Sequence, residues 1–525
     1  MTDVNEGSTG ASSARLPSLR TIHKIAALAA CAWLTVLGLT GWALDHHAWR
    51  WSHQWTVPTS WTSPAINRLI RGTIIRKIEG DLTSPDRLIA ASERGLWLTE
   101  DRGQNWRDVA WLDSSGDAAS TNPQVYDLVS GPSGDLRGAW IATDDGIWRL
   151  ADDGTSARPV ALRGDQITSL TAGVPGELFG VAAESNLFRV RTDASNKVEW
   201  IDLTHVEVSG LPDRVNFGRF VFDLHVGRGF LPQPWSTIIN DYGGVAMAVL
   251  SVTGILFWWL PRRWRGATHR PEINSRRQIL RWLFRAHGPT IGLLGIIPIL
   301  YLALSGFAVD HIVTFLDSTK DNFVARSYLP PLYAYRNLTH EVSGVVAFPE
   351  DPQRYMIASR FGALTSRDGG RRWAVDSSLP QRADGTDAGR MNIFRRAGII
   401  FVGIGGVGQF AQLPGQEGWT QLALPGPNLA ITDVSVLGDL LLVKNSRAIY
   451  SGSLAEAVGM GKIPLQETNI AFPKLQGTTA FLFLADIHSG HIIHPAFGWA
   501  NDLVALAALV LVLSGPILWW RRKWL

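Results

Sequence analysis

The sequence predicts an α+β membrane protein: a bundle of four transmembrane helices built by tandem duplication, together with a β-propeller-like domain outside the membrane. Three observations predict this class. Four apolar runs are long enough to span a bilayer. The motifs that flank those runs occur twice, in the same order. The two long segments between them are polar and carry short β-type runs at the interval of propeller blades.

The composition limits the chemistry that the chain can perform. Its 525 residues are 46% hydrophobic, and its net charge of only +3 says little about partners. No nucleic-acid partner is expected. The single cysteine, Cys31, lies within an apolar run. This excludes intrachain disulfides, cysteine-rich zinc sites, iron–sulfur clusters and a Cys-x-x-Cys-His haem attachment.

The apolar runs and the segments between them set the predicted boundaries. The polar tail 1–19 is predicted to be disordered. TM1 is predicted within 20–47, an interfacial segment with TM2 within 216–260, TM3 within 283–312, and an interfacial segment with TM4 within 476–520. A basic loop is predicted over 261–282, β blades over 48–215 and 313–475, and a short tail over 521–525.

The distribution of basic residues predicts the orientation in the membrane. Arg15, Arg20 and Lys24 flank TM1, eight arginines lie between 262 and 285, and three basic residues follow TM4. Such segments stay in the cytoplasm. We therefore expect a bacterial inner-membrane protein that contacts lipid, with both termini cytoplasmic and both β segments periplasmic.

The duplication is read from matched motifs. The even-numbered spans are preceded by Asp-x-His, at Asp223 to His225 and at Asp486 to His488, and each then has Asn-Asp, an apolar run, Gly and Trp-Trp. The odd-numbered spans end in matching segments at 39–46 and 304–311. Because both halves have the same orientation, we expect a symmetry axis along the membrane normal.

The β segments are predicted to form about six blades, three from each half, over 71–113, 124–165, 166–206, 341–380, 389–425 and 429–469. Segments 99–106 and 366–373 fit Ser/Thr-x-Asp-x-Gly-x-x-Trp, which is similar to the Asp-box turn of propellers. That turn is a folding element and does not indicate glycosidase activity. One closed propeller is the preferred interpretation, and two separate small β domains are the alternative.

Six histidines occupy repeat-matched positions at the ends of the spans: His23 and His287 at cytoplasmic ends, and His46, His311, His225 and His488 at or near outer ends. Ionisable residues at such depth indicate function. They suit bis-histidine ligation of haem b in a helix bundle, binding of another transition metal, or a purely structural role.

Neighbouring residues extend this set. Asp45, Asp310, Asp223 and Asp486 stand one or two residues from the histidines and are predicted either to orient the imidazoles or to cap helices. His491 and His494 follow His488 at three-residue steps and are weaker candidates, which would share its face on a helix.

The repeated motifs resemble the PepSY-associated transmembrane helix family of bacterial inner-membrane proteins. The resemblance rests on Ile22-His23-Lys24, Ala286-His287-Gly288, the two Asp-x-His segments, and the Gly…Trp-Trp…Arg-Arg endings at 254–263 and 515–522. It covers the four spans and their flanks, and the family's usual PepSY outer domain is not recognisable between them. The resemblance implies membrane-bound reduction of ferric siderophores, with haem carrying electrons from the cytoplasmic side to the periplasm.

The resulting prediction is an inner-membrane reductase with two haems b that passes electrons to a periplasmic ferric siderophore or other iron chelate. His23 and His287 are predicted to hold one haem, and His225 and His488 the other. His46 and His311 are alternates or a further site, and pairing of His46 with His488 stays open.

The electron donor, cytoplasmic or a quinol, is expected to be another molecule, because no dinucleotide-binding motif faces the cytoplasm. Two other functions remain open. One is a membrane-anchored propeller receptor or scaffold, and the other is a metal-uptake accessory protein without haem.

Overall fold

The computed structural model divides into two compact units. The bundle unit comprises Met1–Asp45, Thr237–Asp310 and Gly498–Leu525, and the sheet unit comprises His46–Ser236 and His311–Phe497. The structure describes residues 17–46, 49–64, 75–92, 95–120, 122–131, 134–193, 197–203, 206–210, 213–228, 231, 234–264, 270–311, 314–315, 318–319, 321–329, 338, 342–359, 362–379, 391–405, 407–416, 418–425, 431–445, 448–455, 462–468, 470–473, 477–494 and 496–523.

Eight α-helices are described: α1 Leu19–Asp45, α2 Arg50–Gln54, α3 Phe217–His225, α4 Trp235–Arg263, α5 Arg270–Arg285, α6 Ile291–Asp310, α7 Ala480–His488 and α8 Gly498–Lys523. A π-helical segment, Ala286–Thr290, joins α5 to α6. Four stretches are long and apolar enough to cross a membrane: Leu19–Asp45, Trp235–Arg263, Asn274–Asp310 and Gly498–Arg521. Each overlaps one of the four predicted spans.

The basic segment predicted as a loop over 261–282 is helical from Arg270 onward. Its Arg, Gln, Glu and Leu side chains favour a helix, and Pro271 stands in the first turn, where a missing N–H costs nothing. The basic residues of this segment were used to predict its side of the membrane, and its helical propensity was overlooked.

Helices α1 and α4 cross with their backbones in contact. A Cβ added at Gly38 would lie 2.4 Å from the carbonyl oxygen of Gly244, and one added at Gly244 would lie 2.9 Å from the carbonyl oxygen of Gly38. Small residues allow such close approach in helix bundles, where dispersion contacts drive association. This crossing therefore depends on glycine on both helices.

We expect Gly38→Ala to lower the free energy of unfolding of the bundle by about 1–3 kcal/mol, because the added methyl group meets backbone atoms that cannot rotate away. Thermal unfolding in detergent, followed by circular dichroism, measures the change. Gly295→Ala on α6 is the matched control, because its added Cβ would meet only side-chain atoms, the nearest 3.2 Å away on Ile299. Equal stability of the two variants would contradict the prediction.

Two repeat-matched asparagines tie the bundle helices together near the Asp45 and Asp310 ends of α1 and α6. The Asn240 amide donates to Asp45 and its carbonyl oxygen accepts from the Tyr301 hydroxyl at 2.7 Å. Asn501 donates to Asp310 at 3.4 Å and accepts from the Trp33 indole N–H at 2.7 Å. Each asparagine on an even-numbered span thus bridges both odd-numbered spans.

The described strands of the sheet unit form six sheets of four or five strands. The first three sheets consist of β2 Lys77–Gly80, β3 Leu88–Ala91, β4 Leu96–Thr99 and β5 Arg107–Asp108; of β6 Ala110–Trp111, β7 Val125–Val129, β8 Trp140–Thr143, β9 Gly146–Leu150 and β10 Ser156–Ala161; and of β11 Ile167–Ala172, β12 Glu177–Ala182, β13 Asn186–Arg191 and β14 Val198–Ile201. The other three consist of β15 Glu207–Ser209, β18 Val342–Phe348, β19 Asp351–Ser359, β20 Gly362–Ser366 and β21 Arg372–Val375; of β22 Met391–Arg396, β23 Ile399–Ile404, β24 Gly408–Gln412, β25 Thr420–Ala423 and β29 Lys462–Pro464; and of β26 Asp433–Leu437, β27 Leu440–Lys444, β28 Ile449–Ser453 and β30 Gln466–Glu467. Within each sheet the main strands are antiparallel neighbours in chain order. The arrangement is propeller-like.

The first main strands of the six sheets contact one another in a closed cycle: β2 with β7, β7 with β11, β11 with β18, β18 with β22, β22 with β26, and β26 with β2. Polar side chains bridge to backbone groups of the next sheet. Asp127 accepts from the Leu170 N–H at 2.9 Å, and Asp433 accepts from the Ile78 N–H. Bonds of this kind cover backbone groups at the strand edges that face the middle of the cycle.

Five buried or nearly buried charged side chains from four of these strands form what we call the central charge cluster: Lys77, Glu79, Asp127, Arg396 and Asp433. Arg396 contacts Glu79 at 2.8 Å and Asp127 at 3.1 Å. Lys77 lies 3.7 Å from Asp127 and 3.5 Å from Asp433. With three carboxyl groups and two cations, the cluster has one negative charge in excess when every group is ionised.

That imbalance agrees with the behaviour of Glu79. Burial, as the largest cause, raises the pKa of Glu79 to about 7, against the opposing attraction of Arg396. Burial also raises the pKa of Asp433. The cluster therefore retains a proton on a carboxyl group up to about neutral pH.

The two Asp-box-like turns share one geometry. Asp101 accepts from the Asn105 N–H at 2.8 Å, and Asp368 accepts from the Arg372 N–H at 3.0 Å. The first of these bonds is the main reason that the pKa of Asp101 falls to about 2. Gly103 and its counterpart Gly370 take positive φ angles of 85° and 91°, which glycine adopts without strain.

Two short ribbons join the halves within the sheet unit. Strand β1, Thr56–Pro58, pairs with β31, Gly477–Thr479, and β16, Arg214–Asn216, pairs with β17, Phe323–Ala325. In each ribbon one strand comes from the first half and the other from the second. Helices α3 and α7, which end in His225 and His488, begin directly after β16 and β31.

Candidate functional site

The first candidate site is a histidine pair in the bundle unit. His23 lies in the second turn of α1, and His287 lies in the π-helical segment that precedes α6. The two imidazoles are close enough to interact electrostatically. The structure therefore brings together the two histidines that were predicted to share one cofactor.

The π-helical segment explains a mismatch in the repeat. His23 precedes Gly41 by 18 residues, whereas His287 precedes Gly306 by 19. A π turn accommodates one extra residue, and such turns often mark functional sites. The π-helical segment that accommodates the extra residue of the second half contains His287.

A hydroxyl group on a neighbouring helix holds each of these histidines. Nδ1 of His23 lies 2.7 Å from Oγ of Ser514 on α8. Nδ1 of His287 lies 2.9 Å from Oγ1 of Thr253 on α4. Each hydroxyl belongs to the other half of the repeat from the histidine that it holds.

The glycines after these hydroxyls let the imidazole rings lie close to α4 and α8. A Cβ added at Gly254 would stand 3.3 Å from Cε1 of His287, and one added at Gly515 would stand 3.8 Å from Cε1 of His23. In the described part of the chain, no side chain is hydrogen-bonded to Nε2 of either histidine. Two imidazoles whose Nδ1 atoms are held by hydroxyls are a suitable donor set for a b-type haem or a transition metal.

The second candidate site is a histidine pair in the sheet unit, at the ends of α3 and α7. Asn216 caps the start of α3 through a bond from the Arg219 N–H, and Thr479 caps α7 through one from the Leu482 N–H. Both histidines are half-buried. Burial lowers the pKa of His225 to about 4, with a further contribution from the nearby His488. Burial also lowers the pKa of His488 to about 4.

The lowered pKa values predict how acid affects stability. An unfolded imidazole takes up a proton near pH 6.5, whereas the folded pair resists protonation until about pH 4. The unfolded state therefore binds more protons in this window, so the free energy of unfolding falls as the pH is lowered through it.

We expect the double variant His225→Asn/His488→Asn to lose less stability than the wild type between pH 6.5 and pH 4. Urea unfolding of haem-free protein, followed by tryptophan fluorescence, measures the loss. His494→Asn is the control because His494 is exposed. An unchanged pH slope in the double variant would contradict the prediction.

Each of the four predicted orienting carboxylates has a described hydrogen bond or ion pair to another group. Asp486 accepts from both the N–H and the hydroxyl of Ser63, at 2.7 and 2.6 Å, so Ser63 binds both of its oxygens. Asp223 pairs with Arg219 at 3.2 Å. Asp45 and Asp310 bind the bridging asparagines described above. The contacts of Asp45, Asp310 and Asp486 tie a helix to another segment, whereas the Asp223–Arg219 pair lies within α3.

The remaining histidine candidates lie just outside the α-helices. His46 follows α1, and its ring stacks on Trp49 with centroids 4.2 Å apart. His311 follows α6 and is exposed. The prediction that His491 and His494 share a helical face with His488 is wrong, because α7 ends at His488 and a turn with Gly490 at φ 76° follows.

Sequence reasoning missed several residues near the candidate sites. His53, which has no repeat-matched partner in the sequence, is buried and stacks on Phe481 of α7 with centroids 4.9 Å apart. Thr253 and Ser514 were not identified as partners of the histidines. A signal for them was present, since a hydroxyl residue stands directly before the repeated glycine in every span, as Thr40, Thr253, Ser305 and Ser514.

Comparisons with known proteins add one family match. The family described as the PepSY-associated TM region matches residues 20–522. No curated protein sequence matches the chain significantly.

Several solved structures resemble parts of the chain at low identity. An ancestral GH74 enzyme is 9% identical over 73% of this chain and 35% of its own, with a TM-score of 0.33. PorZ, a surface component of the type-IX secretion system of Porphyromonas gingivalis, is 9% identical over 76% of this chain and 33% of its own, with a TM-score of 0.34. The GH74 xyloglucanase of Xanthomonas campestris is 13% identical over 73% and 44%, with a TM-score of 0.34. The chain spans less than half the length of these proteins.

Proposed function

The chain belongs to the PepSY-associated transmembrane family, and from that premise we propose that it is an inner-membrane reductase that uses non-covalently bound haem b to reduce a periplasmic ferric chelate such as a siderophore. The family match confirms the resemblance predicted from the repeated motifs. The observation that carries the proposal is the His23–His287 pair, in which hydroxyls hold both Nδ1 atoms and leave both Nε2 atoms available.

The residues of the bundle unit suit a flat macrocycle. His23 and His287 would hold the group through their imidazoles, and Gly254 and Gly515 let those rings lie close to α4 and α8. When bound, a b-type haem supplies reversible one-electron transfer at its iron. The apolar helices around the pair would exclude water and so influence the potential of that group.

The second pair suits the same role in the sheet unit. Because burial keeps His225 and His488 neutral down to about pH 4, both would remain competent ligands in an acidified periplasm. His46 and His311 are the alternates in this proposal. The electron donor, cytoplasmic or a quinol, is a separate molecule.

We further infer the topology and the closure of the sheets. The closed cycle of innermost strands supports a single six-bladed propeller with three blades from each half. In each of the two ribbons a strand of the first half pairs with a strand of the second half, and this matched arrangement supports a tandem duplication. The basic residues beside TM1, between TM2 and TM3, and after TM4 support cytoplasmic termini and a periplasmic propeller.

Absorption spectra of the purified protein test the proposal. The full chain is extracted from membranes in detergent, and spectra are recorded after air oxidation and after reduction with dithionite. We expect a Soret shift and an α-band on reduction, followed by reoxidation when a ferric hydroxamate is added. A reduced protein that ferric chelates do not reoxidise would overturn the reductase proposal.

Two other results would replace the proposal with the remaining functions. A colourless protein with a folded sheet unit would favour a propeller receptor or scaffold, which the propeller-like fold also suits. Metal detected by elemental analysis without haem would favour metal uptake by the bundle.

A further inference from the structure

The hydroxyl partners of the first histidine pair have a second bond that fixes their role. Thr253 donates its hydroxyl proton to the carbonyl oxygen of Val249 at 2.7 Å, one helical turn earlier. Ser514 donates in the same way to the carbonyl oxygen of Val510. A hydroxyl has a single proton to donate, so each of these oxygens is left as an acceptor toward the histidine.

The histidine must then be the donor in the other bond. With the hydroxyl oxygen accepting, Nδ1 of His23 and of His287 carries the ring proton. A neutral imidazole has only one N–H, so Nε2 presents its lone pair. This tautomer is the one in which Nε2 binds a metal.

We propose that Thr253 and Ser514 are positioning residues that set the Nδ1–H tautomer of His287 and His23 and thereby determine how tightly this pair holds haem iron. The inference rests on the proposed function. It adds two residues that act through the ligand imidazoles.

The arrangement across the repeat strengthens this role. Ser514 on the last span orients His23 on the first, and Thr253 on the second span orients His287 beside the third. Each ligand is therefore held by a helix other than its own. A helix shift that displaced one imidazole would break its bond to the hydroxyl, so ligand geometry is tied to the packing of the bundle.

Removing each hydroxyl tests the proposal by two measurements. Thr253→Val and Ser514→Ala keep the approximate volume of the side chain. In the haem-loaded protein we expect each to weaken haem binding at the first pair by about 10- to 100-fold and to move its midpoint potential to more positive values, because the imidazole becomes a poorer donor to ferric iron. The conservative variants Thr253→Ser and Ser514→Thr are expected to restore both quantities.

Ser251→Ala and Thr35→Val are matched controls. These hydroxyls also donate to a carbonyl one turn earlier, at 2.8 Å in each case, but their bonds do not involve a histidine. Unchanged affinity and potential in Thr253→Val and Ser514→Ala, or equal changes in the controls, would overturn the inference.

The second measurement does not depend on haem. Ring ¹⁵N shifts of labelled histidine in the haem-free protein report which nitrogen carries the proton. We expect Nδ1–H for His23 and His287 in the wild type and a shift toward Nε2–H for His287 in Thr253→Val. An Nε2–H tautomer in the wild type overturns the inference, whereas a wild type that never binds haem but shows Nδ1–H overturns the proposed function instead.

Discussion

Replacing His287 with alanine is expected to remove the absorbance of one bound haem and leave that of another, whereas His488→Ala is expected to do the reverse. The two histidines belong to different structural units, and each is paired with the matching residue of the other half, His23 or His225. Loss of one axial imidazole should therefore affect one pair only.

The measurement is the reduced-minus-oxidised spectrum at matched protein concentration. Each single variant is expected to lose roughly half of the α-band amplitude, and the double variant His287→Ala/His488→Ala is expected to lose nearly all of it. His494→Ala is the control, because His494 is exposed and its Nδ1 accepts from the Ala496 N–H at 3.1 Å. Complete loss from either single variant would show that all four histidines serve one site.

The alternates can be separated in the same experiment. His46→Ala leaves the spectrum unchanged if His225 and His488 are the ligands of the second haem. A loss in His46→Ala equal to that in His488→Ala would instead favour pairing of those two residues across the halves.

The sequence predicted the residues of the two pairs because its motifs occur twice. A lone histidine at the end of an apolar run says little, but His225 and His488 recur at matched positions, as do His23 and His287. Apolar length alone predicted the four spans, because a bilayer sets the number of residues that a helix needs.

Pairing between distant residues was beyond the reach of the sequence. Ser514 stands 491 positions from His23, and the spacing of motifs along one helix does not say which neighbouring helix it contacts. The extra residue before Gly306 was visible as a spacing of 19 against 18, but only the structure shows that a π turn accommodates it. Nearness in the sequence can also mislead. Asp486 stands two residues before His488, which suggested an orienting role, but its carboxylate binds Ser63.

The central charge cluster was not predicted from the sequence. Glu79 and Arg396 lie on β2 and β22, far apart in the chain, and both are almost fully buried. Single charged residues in β-type runs read as solvent-facing positions. The charged residues of the cluster are buried because the first main strands of the six sheets contact one another in a closed cycle.

Arg396→Met is expected to lower the free energy of unfolding of the sheet unit by about 3–5 kcal/mol at pH 8, because it leaves the carboxylates of Glu79 and Asp127 buried without their main counter-ion. The loss is expected to be smaller at pH 5. Glu79, with a pKa of about 7 in the folded wild type, is already protonated there and has less need of a cation.

The wild type carries a related pH dependence. Because the pKa of Glu79 rises from 4.5 in the unfolded chain to about 7 in the folded one, the folded state binds more protons between these values. The contribution of Glu79 is therefore fully present below about pH 4.5 and is lost as the pH rises through 7. Glu79→Gln should remove this slope, which has the opposite sign to the slope expected from His225 and His488.

Urea unfolding in detergent at pH 5 and pH 8, followed by tryptophan fluorescence, measures these differences. Arg189→Met is the matched control, because Arg189 pairs with the exposed Glu199 at the surface, where an ion pair is worth about 1 kcal/mol or less. If Arg396→Met cost no more than Arg189→Met, the cluster would not stabilise the sheet unit. If its cost were the same at pH 5 and pH 8, Glu79 would not be the group that retains the proton.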